Sequence, residues 1–186
     1  GEGWGVQAAV VGKVSGPVHG VSQRRSVDGF DDEDLSSVPA VTAGGPGCGE
    51  ILSEILGENP AFVNFGLIEM NGDVSCSAVA SKVPVNLGDR SHFKRAVAER
   101  RFIAGNYIFG RVIQKHTVNL TYPVIKRGQV DGVLFAALDL GTLDRFIDNV
   151  KLPAGSLLLT LDEEGQVISR RPSDPGWFGK KIREAD

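Results

Sequence analysis

The stretch FVNFGLIEMNGDVSCSA, residues 62–78, decides the fold. Residues 62–68 are apolar and rich in β-branched and aromatic side chains, which is typical of a buried strand. Asn71-Gly72 is the dipeptide preferred in tight hairpin turns, and residues 74–78 resume the strand pattern. The stretch therefore predicts a β-hairpin.

Elements on both sides of the hairpin predict the rest of a sheet. Apolar residues at helical spacing before the hairpin predict a helix over 49–56. After the hairpin, a helix, three strands and a further helix are predicted at 92–101, 102–111, 117–125, 130–140 and 143–150. This order of elements predicts an α+β fold with an antiparallel sheet of about five strands flanked by helices.

A second hairpin is predicted at 156–169, where an apolar run, a polar turn and a returning strand repeat the plan of the first. The match is either a duplication or chance. We divide the chain into a poorly defined flank at 1–45, a first module at 46–152, and the opening hairpin of a second, smaller and truncated module at 153–186. Within the flank, 6–14 is predicted as a short strand or helix.

The composition argues against several classes of protein. The 186 residues carry a formal net charge of -3 with acids and bases interspersed, which does not favour a nucleic acid partner. No apolar stretch approaches the ~20 residues of a transmembrane helix, and the start lacks a signal-peptide pattern, so we expect a soluble protein or a soluble piece of a longer one. Common catalytic motifs are missing, and His19, His92 and His116 are scattered. No enzyme, metal site or cofactor is predicted.

The sequence contains two cysteines, Cys48 and Cys76. From the residues alone they are either a disulfide or two buried thiols of a protein in a reducing cytoplasm. If they pair, closing the loop between them stabilises the fold by roughly 3 kcal/mol in the chain-entropy model.

Residues 89–93, DRSHF, begin the predicted cluster of functional side chains. Arg90 carries a planar guanidinium that suits bidentate binding of a carboxylate, and the alternative is a salt bridge to Asp89. Asp139 stands in an otherwise apolar strand, so its carboxylate is expected to be solvated, paired with a cation or open to a ligand ammonium. Tyr107 is either a ligand contact or an ordinary aromatic residue of the sheet.

Two histidines, His92 and His116, lie close in sequence to these residues. The imidazole of His92 follows Arg90 closely and titrates near neutral pH, which would make the affinity for a ligand depend on pH. The alternative is a partly exposed, inert residue at the start of a helix. Lys115 and His116 are predicted to lie in a solvated turn between strands.

Taken in order along the chain, these motifs resemble the double Cache type of PAS-like sensor domain. Such domains are the ligand-binding ectodomains of bacterial histidine kinases, diguanylate cyclases and chemoreceptors. The resemblance runs from about residue 48 to residue 179. It rests on FGLI at 65–68, NGDV at 71–74, CSA at 76–78, DRSHF at 89–93, GNYIFGR at 105–111, LTYPV at 120–124, VLFAALDL at 133–140, LDEEG at 161–165 and WFG at 177–179.

The resemblance implies a membrane-distal PAS-like module that carries a ligand pocket, followed by the start of a membrane-proximal module. It implies the periplasmic, extracytoplasmic portion of an inner-membrane receptor, and hence a membrane-anchored parent protein. In that compartment Cys48 and Cys76 are expected to form a disulfide. A homodimer is compatible with this organisation.

Members of this family that bind free amino acids have an arginine, two aromatic residues, a tyrosine and an aspartate in matching order. By this resemblance Arg90 would bind the ligand carboxylate, while Tyr107 and Asp139 would bind its amine. His92 and Phe93 stand where those members have tryptophan and tyrosine. An amino acid is therefore not favoured over another small carboxylate or amine.

The sequence thus predicts a sensor domain that binds a small polar molecule and transmits a conformational shift. The main alternative is a dimerisation or interaction module with a vestigial pocket, filled by Phe93, Phe109 and Phe135. A small-molecule enzyme is the least favoured class, because catalysis would have to be assembled from Arg90, His92 and Asp139.

Overall fold

The computed structural model describes residues 7–11, 41 and 44–182, so most of the predicted flank at 1–45, including His19, lies outside the described residues. The described residues form two antiparallel sheets with helices packed on them, which confirms the predicted α+β class. The helices are α1 (Cys48–Glu58), α2 (Ser91–Glu99) and α3 (Leu140–Asp148). The strands are β1 (Gln7–Val11), β2 (Phe62–Glu69), β3 (Val74–Ser77), β4 (Ile103–Phe109), β5 (His116–Lys126), β6 (Gln129–Asp139), β7 (Leu157–Leu161) and β8 (Val167–Arg171).

The predicted hairpin is confirmed as β2 and β3. Its turn requires a glycine, because Gly72 has a φ of 91° and its N–H donates to the Glu69 carbonyl at 2.8 Å. The Asn71 side chain braces the turn by donating to Asp73 at 2.8 Å. The sequence signal and the backbone geometry agree at this position.

The larger sheet has five strands in the order β3-β2-β6-β5-β4, with β6 at its centre. Successive side chains of β6 point to opposite faces of the sheet. Val133 and Phe135 pack with residues of α2, whereas Leu134 and Ala136 pack with residues of α1. Because β6 is covered on both faces, its sequence is a continuous apolar run and does not alternate.

The predicted disulfide between Cys48 and Cys76 is confirmed. The two Cα atoms are 6.1 Å apart, and the bridge joins the first residue of α1 to β3 across a sequence separation of 28. Both cysteines are buried in the cluster that α1 forms with one face of the sheet. The bridge therefore lies on the face opposite to α2.

The chain passes directly from β6 into α3 at Leu140, whereas the sequence pattern predicts a helix only from residue 143. The Asp139 carboxylate explains the earlier start. Its Oδ1 accepts from the Gly141 N–H at 3.2 Å and its Oδ2 from the Thr142 hydroxyl at 3.3 Å. A carboxylate in this position satisfies N–H groups that the first helical turn leaves without partners.

The smaller sheet has the strand order β1-β7-β8. Its hairpin β7–β8 is the one predicted at 156–169. The segment predicted as a strand or helix at 6–14 contains a strand, and β1 pairs with β7 from Gln7 opposite Leu161 to Val11 opposite Leu157. Among the described residues, no helix combines the length and apolar character needed to cross a membrane.

His116 joins the two sheets, so the prediction of a solvated turn is wrong for this residue. Its ring centroid lies 5.8 Å from Tyr107, 5.3 Å from Phe109 and 5.5 Å from Phe178. Its Nδ1 is 2.8 Å from the Tyr107 hydroxyl oxygen. The sequence pattern missed this contact because Phe178 is distant in the chain and reaches His116 only through the fold.

Candidate functional site

A cleft lies between the face of the larger sheet that carries α2, the loop before α2 and the β4–β5 loop. Its space free of protein atoms is about 320 Å³, part of it open to solvent. The cleft is narrow, so any ligand that it holds is small. The lining residues are Asn64, Leu87, Arg90, Ile108, Gly110, Arg111, Val112, Ile113, Thr117, Asn119, Phe135 and Ala137.

Several buried polar atoms in this region have no hydrogen-bond partner. Thr117 Oγ1, Asn119 Oδ1 and Arg90 Nε belong to lining residues, and His92 Nδ1 lies beside them on α2. Thr117 is 0% exposed, Asn119 4% and His92 1%. Buried polar atoms nearly always have partners in folded proteins, so a group of unpartnered atoms beside one cleft indicates a place for a polar ligand or water.

Arg90 is positioned by the start of α2. It is the N-cap residue, with the extended φ of -72° and ψ of 137°, and no side chain caps the helix there. Its Nη2 donates to the Phe109 carbonyl at 3.4 Å, which leaves the guanidinium with spare donors. Burial and the neighbouring Arg111 charge lower the pKa of Arg90. The charge of Arg90 and the N-terminus of α2 together make this end of the cleft favourable for an anion.

Asp89 pairs with Arg111 and not with Arg90. Arg111 Nη1 donates to Asp89 Oδ1 and Nη2 to Oδ2, both at 2.7 Å, and Nη1 also donates to the Asn86 carbonyl at 2.7 Å. The hydrogen bond from Arg111 holds the pKa of Asp89 at about 2. The ion pair ties the β4–β5 loop to the loop before α2, and both loops contribute lining residues to the cleft.

His92 is fully buried on α2, against β5. Its Nε2 lies 3.3 Å from Asn119 Nδ2, and the Gly105 position is close to its Cβ, so a side chain at residue 105 would displace the ring. Burial lowers the pKa of His92 to about 4, and the Arg90 charge acts in the same direction. His92 is therefore a neutral imidazole at physiological pH, so the interpretation of a partly exposed residue is wrong.

The structure brings one of the five predicted ligand-binding residues, Arg90, into the lining of the cleft, with His92 in contact with the lining residue Asn119. Phe93 is part of the hydrophobic core between α2 and the sheet. Tyr107 packs with the smaller sheet, and Asp139 accepts hydrogen bonds at the start of α3. A direct part for these three in ligand binding stays a prediction.

Tyr107 lies on the other face of the sheet because of a β-bulge. The register of β4 against β5 runs from Ala104 opposite Leu120 to Tyr107 opposite Val118, so β4 contains one extra residue. An extra residue moves the following side chains to the other face. Tyr107 accordingly joins Val118 in the cluster formed with the smaller sheet.

Three lining residues, Asn64, Thr117 and Asn119, were not singled out from the sequence. Thr117 and Asn119 alternate along β5 and therefore share a face. The signal was present, because buried polar residues at every second position of an otherwise apolar strand mark a polar surface inside the protein. Asn64 is less informative, since its Oδ1 already accepts from the Ser77 hydroxyl and the Val79 N–H.

Within the described part of the chain, no group of histidine, cysteine or acidic side chains has the arrangement of a metal site. The polar groups in the cleft are two guanidinium groups, a hydroxyl and amides. These groups bind by hydrogen bonding and charge, and they suit reversible recognition of a small polar molecule.

No protein-family model and no curated protein matches the sequence. Solved structures match it in fold. The ligand-binding domain of the amino acid chemoreceptor PctC of Pseudomonas aeruginosa, in complex with GABA, has a TM-score of 0.64 at 19% identity, covering 81% of this chain and 68% of that domain. The sensor domain of the V. cholerae histidine kinase DctB has a TM-score of 0.62 at 18% identity. The match covers 83% of this chain and 60% of that domain. The ligand-binding domain of the Pseudomonas fluorescens chemoreceptor CtaA, in complex with L-serine, has a TM-score of 0.64 at 16% identity. The match covers 80% of this chain and 64% of that domain.

The chain has the PAS-like fold of extracellular sensor domains. The resemblance to double Cache sensors is thereby confirmed at the level of the fold. The chain spans about 60% of the length of the DctB sensor domain. A disulfide between Cys48 and Cys76 fits the oxidising compartments in which such sensor domains fold.

Proposed function

We propose that this chain is the ligand-binding portion of an extracytoplasmic bacterial receptor, a histidine kinase, diguanylate cyclase or chemoreceptor, and that the cleft beside Arg90 binds a small polar molecule. The observation that carries the proposal is the set of buried, unpartnered polar atoms on Thr117, Asn119 and Arg90. A pocket filled by apolar side chains would leave these buried polar atoms without hydrogen-bond partners. Of the three residues expected to fill it, Phe109 is 45% exposed, whereas Phe93 and Phe135 are buried between α2 and the sheet and Phe135 lines the cleft.

The fold neighbours support a receptor with a small-molecule ligand, because the PctC and CtaA domains are complexes with GABA and L-serine. We assign 46–152 as the membrane-distal module. The hairpin at 153–186, with β1, is assigned to the start of a membrane-proximal module. The parent protein is then anchored in the membrane and the described sheets lie outside it.

Transmission of the signal would use the contacts that tie β4 to the second hairpin. The Asp162 carboxylate accepts from the Tyr107 N–H at 2.8 Å, and Asn106 donates to Glu164 at 2.7 Å. Ile108, next to Tyr107, lines the cleft. A ligand that binds more tightly to one position of β4 therefore also favours one position of the hairpin. Such a difference in affinity between two conformations is what a population shift requires.

A thermal-shift screen of small carboxylates, amino acids and amines tests the proposal. A compound present at about a hundred times its Kd stabilises the folded state by about 2.7 kcal/mol, which is about 5–10 °C for a chain of this size. Arg90→Gln should abolish the shift, whereas Arg101→Gln, at the exposed far end of α2, should preserve it. If no compound shifts the melting temperature, a dimerisation module is favoured over a sensor. Hits that survive Arg90→Gln unchanged would mean that the ligand does not bind in this cleft.

A further inference from the structure

The side chains that line the cleft offer cationic and neutral polar groups but no carboxylate. The lining residues include Arg90 and Arg111 and, within the described part of the chain, no aspartate or glutamate. Arg111 is paired with Asp89, whereas Arg90 takes part in none of the ion pairs that the described residues form. Because Asp89 offsets the charge of Arg111, the uncompensated charge beside the cleft is that of Arg90, and it favours an anion over a cation.

The residues expected to bind an ammonium do not line the cleft. Asp139 is the cross-strand partner of Thr117 and shares its face of the sheet, but its carboxylate is held at the start of α3, where one oxygen accepts from the Gly141 N–H and the other from the Thr142 hydroxyl. Tyr107 packs with the smaller sheet, with its hydroxyl oxygen 2.8 Å from His116 Nδ1. The lining of the cleft therefore lacks the acceptor charge that compensates a desolvated ammonium, and Asp139 would have to turn away from α3 to supply it.

Thr117 and Asn119 instead present neutral hydrogen-bonding groups. Both are buried, and as alternate residues of β5 they share the face that forms the cleft. His92 is a neutral imidazole, so Asn119 Nδ2 donates to its Nε2, and the Asn119 carbonyl oxygen is left as an acceptor. The Thr117 hydroxyl can donate or accept. An acceptor beside a hydroxyl suits a ligand hydroxyl group, which itself donates one hydrogen bond and accepts another.

We propose that the cleft selects a small hydroxycarboxylate, whose carboxylate binds Arg90 and whose hydroxyl binds Thr117 and Asn119, and that it rejects the corresponding amino acid. The ligand class rests on the function proposed above. It departs from what the PctC and CtaA complexes would lead one to expect, since both contain an amino acid.

Calorimetric titration with matched compounds tests the ligand class. Lactate, alanine and propionate each have one carboxylate and are similar in shape. On the carbon next to the carboxylate, lactate carries a hydroxyl, alanine carries an ammonium and propionate carries neither. The pairs glycolate with glycine and malate with aspartate extend the comparison to other sizes. For at least one size we expect the hydroxy acid to bind about tenfold tighter than the plain acid, and at least about a hundredfold tighter than the amino acid.

Two variants separate the roles of the polar groups. Thr117→Val keeps the shape of the side chain and removes its hydroxyl, so it should reduce the preference for lactate over propionate to about threefold or less while the affinity for propionate changes little. Asp139→Asn should leave the affinities for lactate and alanine unchanged. Circular dichroism of both variants checks that they fold.

The outcomes distinguish the ligand class from the function on which it rests. The ligand class is overturned if an amino acid binds as tightly as its hydroxy acid and if the Asp139→Asn variant no longer binds that amino acid. This result leaves a sensor function in place. Failure of every hydroxy acid to bind overturns the ligand class as well. In that case a hit from the broader screen that depends on Arg90 preserves the proposed function, and the lack of any such hit removes both.

Discussion

Arg111 makes a bidentate ion pair with Asp89, with both N–O distances at 2.7 Å, and so connects the β4–β5 loop to the loop before α2. The pair borders the cleft and is largely exposed to solvent. An exposed ion pair contributes little to global stability. Its position makes it a local restraint on the width of the cleft.

Asp89→Asn should loosen the β4–β5 loop. An exposed pair is worth about 0.2–1 kcal/mol, so amide hydrogen exchange in residues 110–115 should become up to about fivefold faster. Mass spectrometry of deuterium uptake at pH 7 measures the change. The matched control is Asp131→Asn, which removes another exposed ion pair. In this pair Asp131 Oδ2 lies 2.6 Å from Lys126 Nζ, beside the turn between β5 and β6. Equal exchange of 110–115 in the wild type and Asp89→Asn would show that the pair does not restrain the loop.

His92 should make the stability of the protein depend on pH. Its folded-state pKa is about 4, below the ordinary 6.5, so between these values the unfolded chain binds a proton that the native protein does not. The free energy of unfolding should therefore be largest above pH 6.5 and fall by about 3 kcal/mol as the pH is lowered to 4.

Urea unfolding of the wild type and His92→Gln across this pH range measures that contribution as the difference between two curves. The glutamine variant should lose less stability on acidification. An NMR titration of the His92 ring gives an independent value. A midpoint near 6.5 in the folded protein would contradict the assignment of a buried, neutral imidazole.

Reduction of the disulfide should destabilise the protein without weakening the cleft. A bridge across 28 residues contributes about 3–4 kcal/mol in the chain-entropy model. The double variant Cys48→Ala and Cys76→Ala should lose about this much in urea unfolding. Its ligand affinity should be unchanged, because both cysteines lie on the α1 face of the sheet. A large loss of affinity with retained folding would place the disulfide in the binding machinery.

Gly179→Ala should disturb the contact between the two sheets. Gly179 has a φ of +75° and a Cβ there would overlap the Tyr107 ring. Gly155 is the matched control, because its φ is +78° but no atom lies within 4 Å of the added carbon. Gly155→Ala should cost about 1–2 kcal/mol from the backbone alone. Gly179→Ala should cost about 1–3 kcal/mol more, measured by urea unfolding, and equal losses would mean that Tyr107 moves aside freely.

The sheet could be predicted because local signals agree with the packing that the fold imposes. Asn71-Gly72 fixes the hairpin, and the apolar run of β6 matches its burial on both faces. The start of α3 was predicted late, because the role of Asp139 as an acceptor for the first helical turn depends on where the strand ends.

The site was harder to predict, because it depends on which face of a strand each side chain occupies. The bulge after Ala104 places Tyr107 on the face opposite to the cleft. Gly105 is a residue type that often marks a bulge, but it does not reveal which of the following side chains change face. Arg90 could be found because the chemistry of a guanidinium before a helix is local. Thr117 and Asn119 carry a local signal as well, because they are polar residues that alternate along an otherwise apolar strand.

A crystal structure of the chain with the tightest-binding compound from the screen tests the binding site directly. We expect difference density in the cleft, with a ligand carboxylate about 3 Å from the Arg90 guanidinium and a ligand oxygen at similar distance from Thr117 Oγ1. Density for the compound at another place, with only water beside Arg90 and Thr117, is incompatible with this cleft as the sensing site.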